Sequence, residues 1–231
     1  MLKFLPIVLI IGYGLLMVQF SAWRTRRELD ARSTPLRDAG LQALTDRMAR
    51  ALDLPGIPVH VYEIEPVNGL AAPDGRIFIT RGFLHRYRRG DVTAEELSSV
   101  IAHELGHVAL GHTRKRMIDF SGQNAVRVVL AGVLNRLLPG LGALIASGLV
   151  SLLAAGLSRA DEYEADEYAA ALLTRAGIGT APQKALFAKL DQITGHGGAP
   201  PVWLASHPST ADRIRAIESL EARWLDGPAK A

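Results

Sequence analysis

Apolar side chains along this chain fall into narrow stripes and two solid blocks. The first block, Phe4 to Trp23, is 20 residues without a charge. A helix of that length, at about 1.5 Å per residue, matches a hydrocarbon core of about 30 Å. Trp23 closes it where an interfacial aromatic belongs. The block is longer than the apolar region of a cleaved leader, and Phe20-Ser21-Ala22 is a poor cleavage site. Residues 1–23 are therefore expected to form an uncleaved N-terminal membrane anchor, with 24–231 as the working domain. The second block, residues 125–157, is interrupted by Arg127 and Arg136 and broken by Pro139-Gly140. From Leu141 to Leu157 it is uncharged, and it reads as an apolar helical hairpin inserted in that domain.

The stripes mark the remaining elements. Leu41, Leu44, Met48 and Leu52 recur at helical spacing, and Pro55-Gly56-Ile57-Pro58 ends that helix. Residues 59–65, 68–72 and 76–80 read as strands of a small antiparallel sheet, with Pro73-Asp74-Gly75 as a turn. Thr93 and Glu96 form a capping box, and Val92 and Leu97 stand at the staple positions around it. The helix they start is expected to run to about Met117. A further helix is expected from near Ser158 to just before Gly177, and another over Ala181 to Ile193. Gly195 to Pro201 reads as a loop. The last helix has Ser209 as N-cap and Ile214, Ile217 and Leu220 on one face. The fold class is α+β, mostly helical.

Composition narrows the chemistry. The formal net charge is +3 over 231 residues, and no basic stripe is interleaved with aromatics, which argues against nucleic acid as partner. There is no cysteine. Disulfides and thiolate nucleophiles are excluded, and any metal must be held by His, Asp or Glu. Lys3 precedes the first apolar block, while Arg24, Arg26, Arg27, Arg32 and Arg37 follow it. That asymmetry favours a cytoplasmic working domain.

The candidate chemistry lies in His103-Glu104-Leu105-Gly106-His107. Two His four residues apart on a helix project from one face and can share a Zn²⁺ ion. Glu104 follows the first ligand, placed to take a proton from a water on the metal. The neighbours Ile101, Ala102, Leu105, Val108, Ala109 and Leu110 are apolar. A carboxylate buried among them beside two His is costly without a compensating metal or partner. The metzincin spacing, with Gly and His seven and ten residues after the first ligand, is not met. Gly111 and His112 lie eight and nine residues after His103, and His112 falls nearly opposite it on a helix. The third ligand is therefore sought on a later helix. Glu162 in Ser158-Arg159-Ala160-Asp161-Glu162-Tyr163-Glu164-Ala165-Asp166 is the leading candidate, and spacing alone does not separate it from Asp161. Asp166, one turn further on, could accept a hydrogen bond from a ligand imidazole. Glu164 and Glu167 fall on other faces and read as solvated charges.

Four stretches resemble the HtpX-like zinc endopeptidases, the M-forty-eight peptidases that include the CAAX prenyl endopeptidases. They are Asn68 to Leu84, His103 to His107, Ser158 to Asp166, and Ser206-His207-Pro208. The resemblance implies a gluzincin-type fold, one Zn²⁺ per chain, Glu162 as third ligand and Asp166 as its outer support. It implies that Asn68 lies on an edge strand where a peptide backbone can pair. It also makes His207 a candidate transition-state donor, against a helix-capping role. This chain has Asn68-Gly69-Leu70 where the family commonly has Asn-Ala-Phe.

If His107 and Glu162 share one ion, the chain between them crosses a bilayer an even number of times. Two spans need about 40 residues, and 125–157 supplies 33, so a short pair packed on the domain or dipping into the membrane is expected. The expectation for the whole is a membrane-anchored, zinc-dependent metalloendopeptidase acting on membrane-associated or misfolded proteins. The competing readings are a zinc-binding chaperone or assembly factor with little proteolytic activity, and an anchored structural protein with a chance motif.

Overall fold

The computed structural model describes residues 16, 19–20, 23–72, 74–112, 131, 134–136, 141–194 and 210–226. The chain divides into two compact units, one of residues 1–31 and 111–160, the other of 32–110 and 161–231. In the first, residues 23–31 are helical, and the Arg27 guanidinium lies 4.7 Å over the Trp23 ring. Most of the apolar block from Phe4, and the Pro139-Gly140 break, lie outside the described residues. No described helix is long and apolar enough to cross a membrane.

The second unit holds everything that positions the site. Its sheet has four strands, β1 (Ser33–Pro35), β2 (Val59–Tyr62), β3 (Gly69–Ala71) and β4 (Ile77–Thr80), in the order β1-β2-β4-β3. The expected turn exists: β3 and β4 pair antiparallel with Ala71 opposite Ile77. The all-antiparallel expectation fails, because β2 runs parallel to β4 with Val59 opposite Ile77. The reason is burial. Every residue of β4 is buried, whereas Leu70 and Ala71 of β3 are only partly buried. A wholly buried strand gains most at the sheet centre, so β4 takes that place and β3 is left at the edge. β1 was not expected from the sequence. It is three residues long and ends in Pro35, which an edge strand tolerates.

Helices cover this sheet. α1 (Ala39–Ala51) is capped by Asp38, which accepts from Leu41 N, and buries Leu41, Leu44 and Met48 as its stripe requires. α2 (Arg81–Arg88) follows β4 directly, with Thr80 as N-cap. α3 (Ala94–Ala109) begins at the expected capping box, with both of its hydrogen bonds present. It ends eight residues before Met117, because Gly111 takes φ 73° and the chain leaves the helix there.

α4 (Gly142–Arg175) is one helix of 34 residues. The expected start near Ser158 is therefore corrected: no proline or charge interrupts the Leu- and Ala-rich segment before it, so the helix is continuous through the second apolar block. Its C-terminus is as expected. Gly177 has φ 68°, Ile178 N donates to Leu173 O and Gly177 N to Thr174 O, which is a Schellman motif. Arg47 of α1 donates to the freed carbonyls of Ala176 and Gly177. α5 (Ala181–Thr194) and α6 (Thr210–Leu225) complete the unit. Ser209 lies outside the described residues. The core joins all these layers through Met48, Ile77, Ile79, Phe83, Leu97, Ile101, Leu173, Leu186 and Ile217.

Candidate metal centre

α3 holds the site rigidly at its start. Glu96 serves the capping box and also receives Lys189 Nζ of α5 at 2.7 Å. Two turns on, His103, Glu104 and His107 are all buried, at 2%, 3% and 3% exposure. α4 passes across this segment at Gly106. A Cβ on Gly106 would lie 3.0 Å from Ala165 O and 3.2 Å from Ala165 Cα, so only glycine lets the two backbones come this close. The crossing delivers Glu162 and Asp166 of α4 to the histidines.

The three side chains form a triangle. His103 Nε2 and His107 Nε2 are 3.1 Å apart. Glu162 Oε2 lies 3.3 Å from His103 Nε2, and Glu162 Oε1 lies 3.3 Å from His107 Nε2. Atoms bound to a tetrahedral Zn²⁺ at about 2.0–2.2 Å are about 3.3–3.5 Å from one another. Each Nε2 has a Glu162 oxygen at 3.3 Å, Oε2 for His103 and Oε1 for His107, so the three side chains are close enough to share one such ion. Among the described residues, His103, His107 and Glu162 form the group that can hold a metal ion. Formal charge agrees: Glu104, Glu162 and Asp166 are buried with one arginine, a deficit that a divalent cation offsets.

Behind the triangle lies a second buried group. Asp166 Oδ1 accepts from His103 Nδ1 at 2.9 Å. An ionised carboxylate can only accept, so Nδ1 carries the proton and Nε2 is left for the metal. Arg213 of α6 grips the same carboxylate, with Nε 2.6 Å from Oδ2 and Nη2 2.6 Å from Oδ1. Arg213 is fully buried and lies 4.2 Å over the Phe187 ring. Burial alone would raise the Asp166 pKa, but the Arg213 charge and hydrogen bonds bring it below the usual carboxylate value. Burial likewise acts to lower the His103 pKa. The hydrogen bonds of Asp166 and Glu162 overcome it and raise the value to about 9 in the metal-free protein.

The sequence-predicted residues sort cleanly. His103, His107 and Glu162 converge, with Asp166 on the outer nitrogen of His103. Asp161 is buried but stands outside the metal-holding group. Glu164 and Glu167 are exposed as expected. His112 is buried, at 3% exposure, and is not in the group. Asn68 stands at the start of the edge strand, its N–H donating to Thr80 Oγ1 and its Oδ1 accepting from Gly69 N. His207 lies outside the described residues. Arg213 was missed. Its signal was position: it precedes Ile217 by four residues and Leu220 by seven, on the buried stripe of α6.

Such a site, a helical His pair with the intervening Glu and a carboxylate from a crossing helix, is that of a zinc-dependent peptidase. Comparison with known sequences is specific. The profile of Peptidase family M48 matches residues 35–221, and the chain belongs to that family. Metalloprotease LoiP of Escherichia coli (strain K12) is 33% identical over 200 residues, 83% of this chain and 75% of that protein. Metalloprotease YcaL of the same organism is 31% identical over 178 residues, 74% of this chain and 66% of that one. Human mitochondrial metalloendopeptidase OMA1 is 26% identical over 181 residues, which is 73% of this chain and 34% of the human protein. The chain is a metalloendopeptidase, and zinc is its metal.

Proposed function

We propose that this protein is a membrane-anchored endopeptidase in which His103, His107 and Glu162 hold Zn²⁺ and Glu104 is the general base. The observation that carries the reading is the buried group of His103, His107 and Glu162, with Glu104 one residue from His103 on the same helix. When bound, zinc supplies Lewis acidity, which polarises an oxygen and brings a water pKa toward about 7. The chain's own residues do the rest. Asp166, held by Arg213, fixes the ring of His103. Glu104 takes the proton from the attacking water and returns it to the departing amine.

The edge strand β3, entered at Asn68, supports extended pairing of the substrate backbone in the manner of an added strand. His207 stands three residues ahead of α6, the helix that brings Arg213 to the site. That proximity in sequence supports a role as hydrogen-bond donor to the developing oxyanion. Phe4 to Trp23 supports an anchor, and the arginines after it support a cytoplasmic catalytic side. Substrates are then membrane-associated or misfolded proteins.

The test is cleavage of casein by the wild type and Glu104→Gln, with metal analysis of both. The expected result is about one zinc per chain in each, and at least a hundredfold loss of rate in the variant. Full activity in Glu104→Gln would sink the assignment of the base. Retained cellular function without cleavage would favour the chaperone reading. Glu162→Ala is expected to lose the zinc.

A further inference from the structure

At Gly69 the structure shows what an added methyl group would meet. Gly69 is not in the left-handed region, so backbone conformation does not require glycine there. Space does. A Cβ on Gly69 would stand 2.6 Å from Val100 Cγ1, 3.2 Å from Glu104 Oε1 and 3.3 Å from Glu104 Cγ. Val100 and Glu104 are one turn apart on α3, and both are buried. The bare backbone of the edge strand therefore lies directly against the side chain of the base.

Alternatives to glycine cannot keep this arrangement. Ordinary contact begins at 3.4 Å, so a methyl at 2.6 Å from Val100 requires a shift of about 0.8 Å, the difference of the two. Val100 is 2% exposed among Leu97, Ile101 and the sheet, with little room to retreat. The edge strand is the freer partner, since one of its sides carries no strand. Asn68 is tied to Thr80 by backbone and side-chain hydrogen bonds, and Gly69 to Ala71 are held by β4 along one side, so the displacement would strain that pairing.

We propose that Gly69 is a positioning residue. It sets the spacing between the substrate-pairing strand and the Glu104 carboxylate, and so holds a bound backbone closer to the base than a side chain at this position permits. The inference rests on the assignment of Glu104 and of β3 given above. A misplacement of about 1 Å at a reacting centre can lower the rate about a hundredfold.

The experiment compares the wild type with Gly69→Ala, Val100→Ala and the double variant, as full-length zinc-loaded protein on a peptide substrate. In Gly69→Ala, kcat is expected to fall at least tenfold, with KM moving less than threefold and zinc remaining at about one per chain. Val100→Ala removes the atom that the new methyl strikes. The double variant is therefore expected to recover most of the lost kcat, although Val100→Ala alone lowers thermal stability and raises no activity. A purely structural role would instead make the double variant, carrying two destabilising changes, the least active of the four. Wild-type kcat in Gly69→Ala, or a double variant no faster than Gly69→Ala, overturns the proposal. Glu104→Gln in the same assay separates the two levels: full activity there removes the base assignment, whatever Gly69 does.

Discussion

Arg213 shows how much of the site depends on one residue outside the metal-holding group. It is fully buried and contributes the positive charge that keeps Asp166 ionised. Replacing it with methionine fills similar volume but leaves a buried carboxylate with His103 alone and no arginine, which costs up to about 3–5 kcal/mol. Denaturation of the metal-free Arg213→Met protein should show that loss, and the double change with Asp166→Asn should return part of it. A single variant as stable as the wild type would contradict the ion pair. Asp166→Asn alone tests the other end of the chain of contacts. His103 would lose the charged acceptor that fixes its ring, keeping at most a neutral amide oxygen, and zinc affinity, read by competition with a chelating dye, is expected to weaken about 10- to 100-fold. The His-Glu pattern was legible because its spacing is itself the chemistry. Arg213 was not, because an arginine in an amphipathic helix reads as solvated until the helix is rotated against its neighbours.

At the scale of elements, the starts of helices were legible and their relations in space were not. Thr93 and Glu96 announce α3 through local hydrogen bonds, and both bonds are present. Gly177 announces the end of α4 for the same reason. Where α4 begins was misread, because polarity changes at Ser158 while the backbone does not. The parallel pairing of β2 with β4 was equally hidden, since it depends on which strand gains the sheet centre. So was the closeness of α3 and α4, although Gly106 lay inside the motif. A methyl there would meet backbone atoms of Ala165 at 3.0 Å and 3.2 Å, neither of which can rotate away. Gly106→Ala is therefore expected to part the two helices and carry Glu162 away from the histidines. Metal analysis should find well under one zinc per chain, with helix content by circular dichroism near that of the wild type. A variant that keeps its zinc would show that the crossing can accommodate a methyl group.

For the molecule as a whole, the metal and the proton compete for the same buried ring, and their competition sets how stability responds to pH. In the metal-free protein His103 has a pKa of about 9, against 6.5 for an unperturbed imidazole. A group whose folded value is raised stabilises the fold fully below its unfolded pKa, and that stabilisation is lost as pH climbs through the folded one. Between about pH 6.5 and 9 the metal-free protein thus loses on the order of 3 kcal/mol from this group. The zinc-loaded protein does not, because the ligand ring has already given up its proton to bind the ion, as the unfolded chain has in this range. The stability gained from zinc should therefore widen as pH rises, and it should do so because the metal-free form weakens. Melting curves with and without chelator, at fixed free zinc from pH 6 to 9, test this directly. A constant gap would mean that His103 is not protonated in the empty site. Asp166→Asn supplies the internal control: with the carboxylate gone the ring loses its main source of proton affinity, and the widening should shrink in the variant that also binds zinc more weakly.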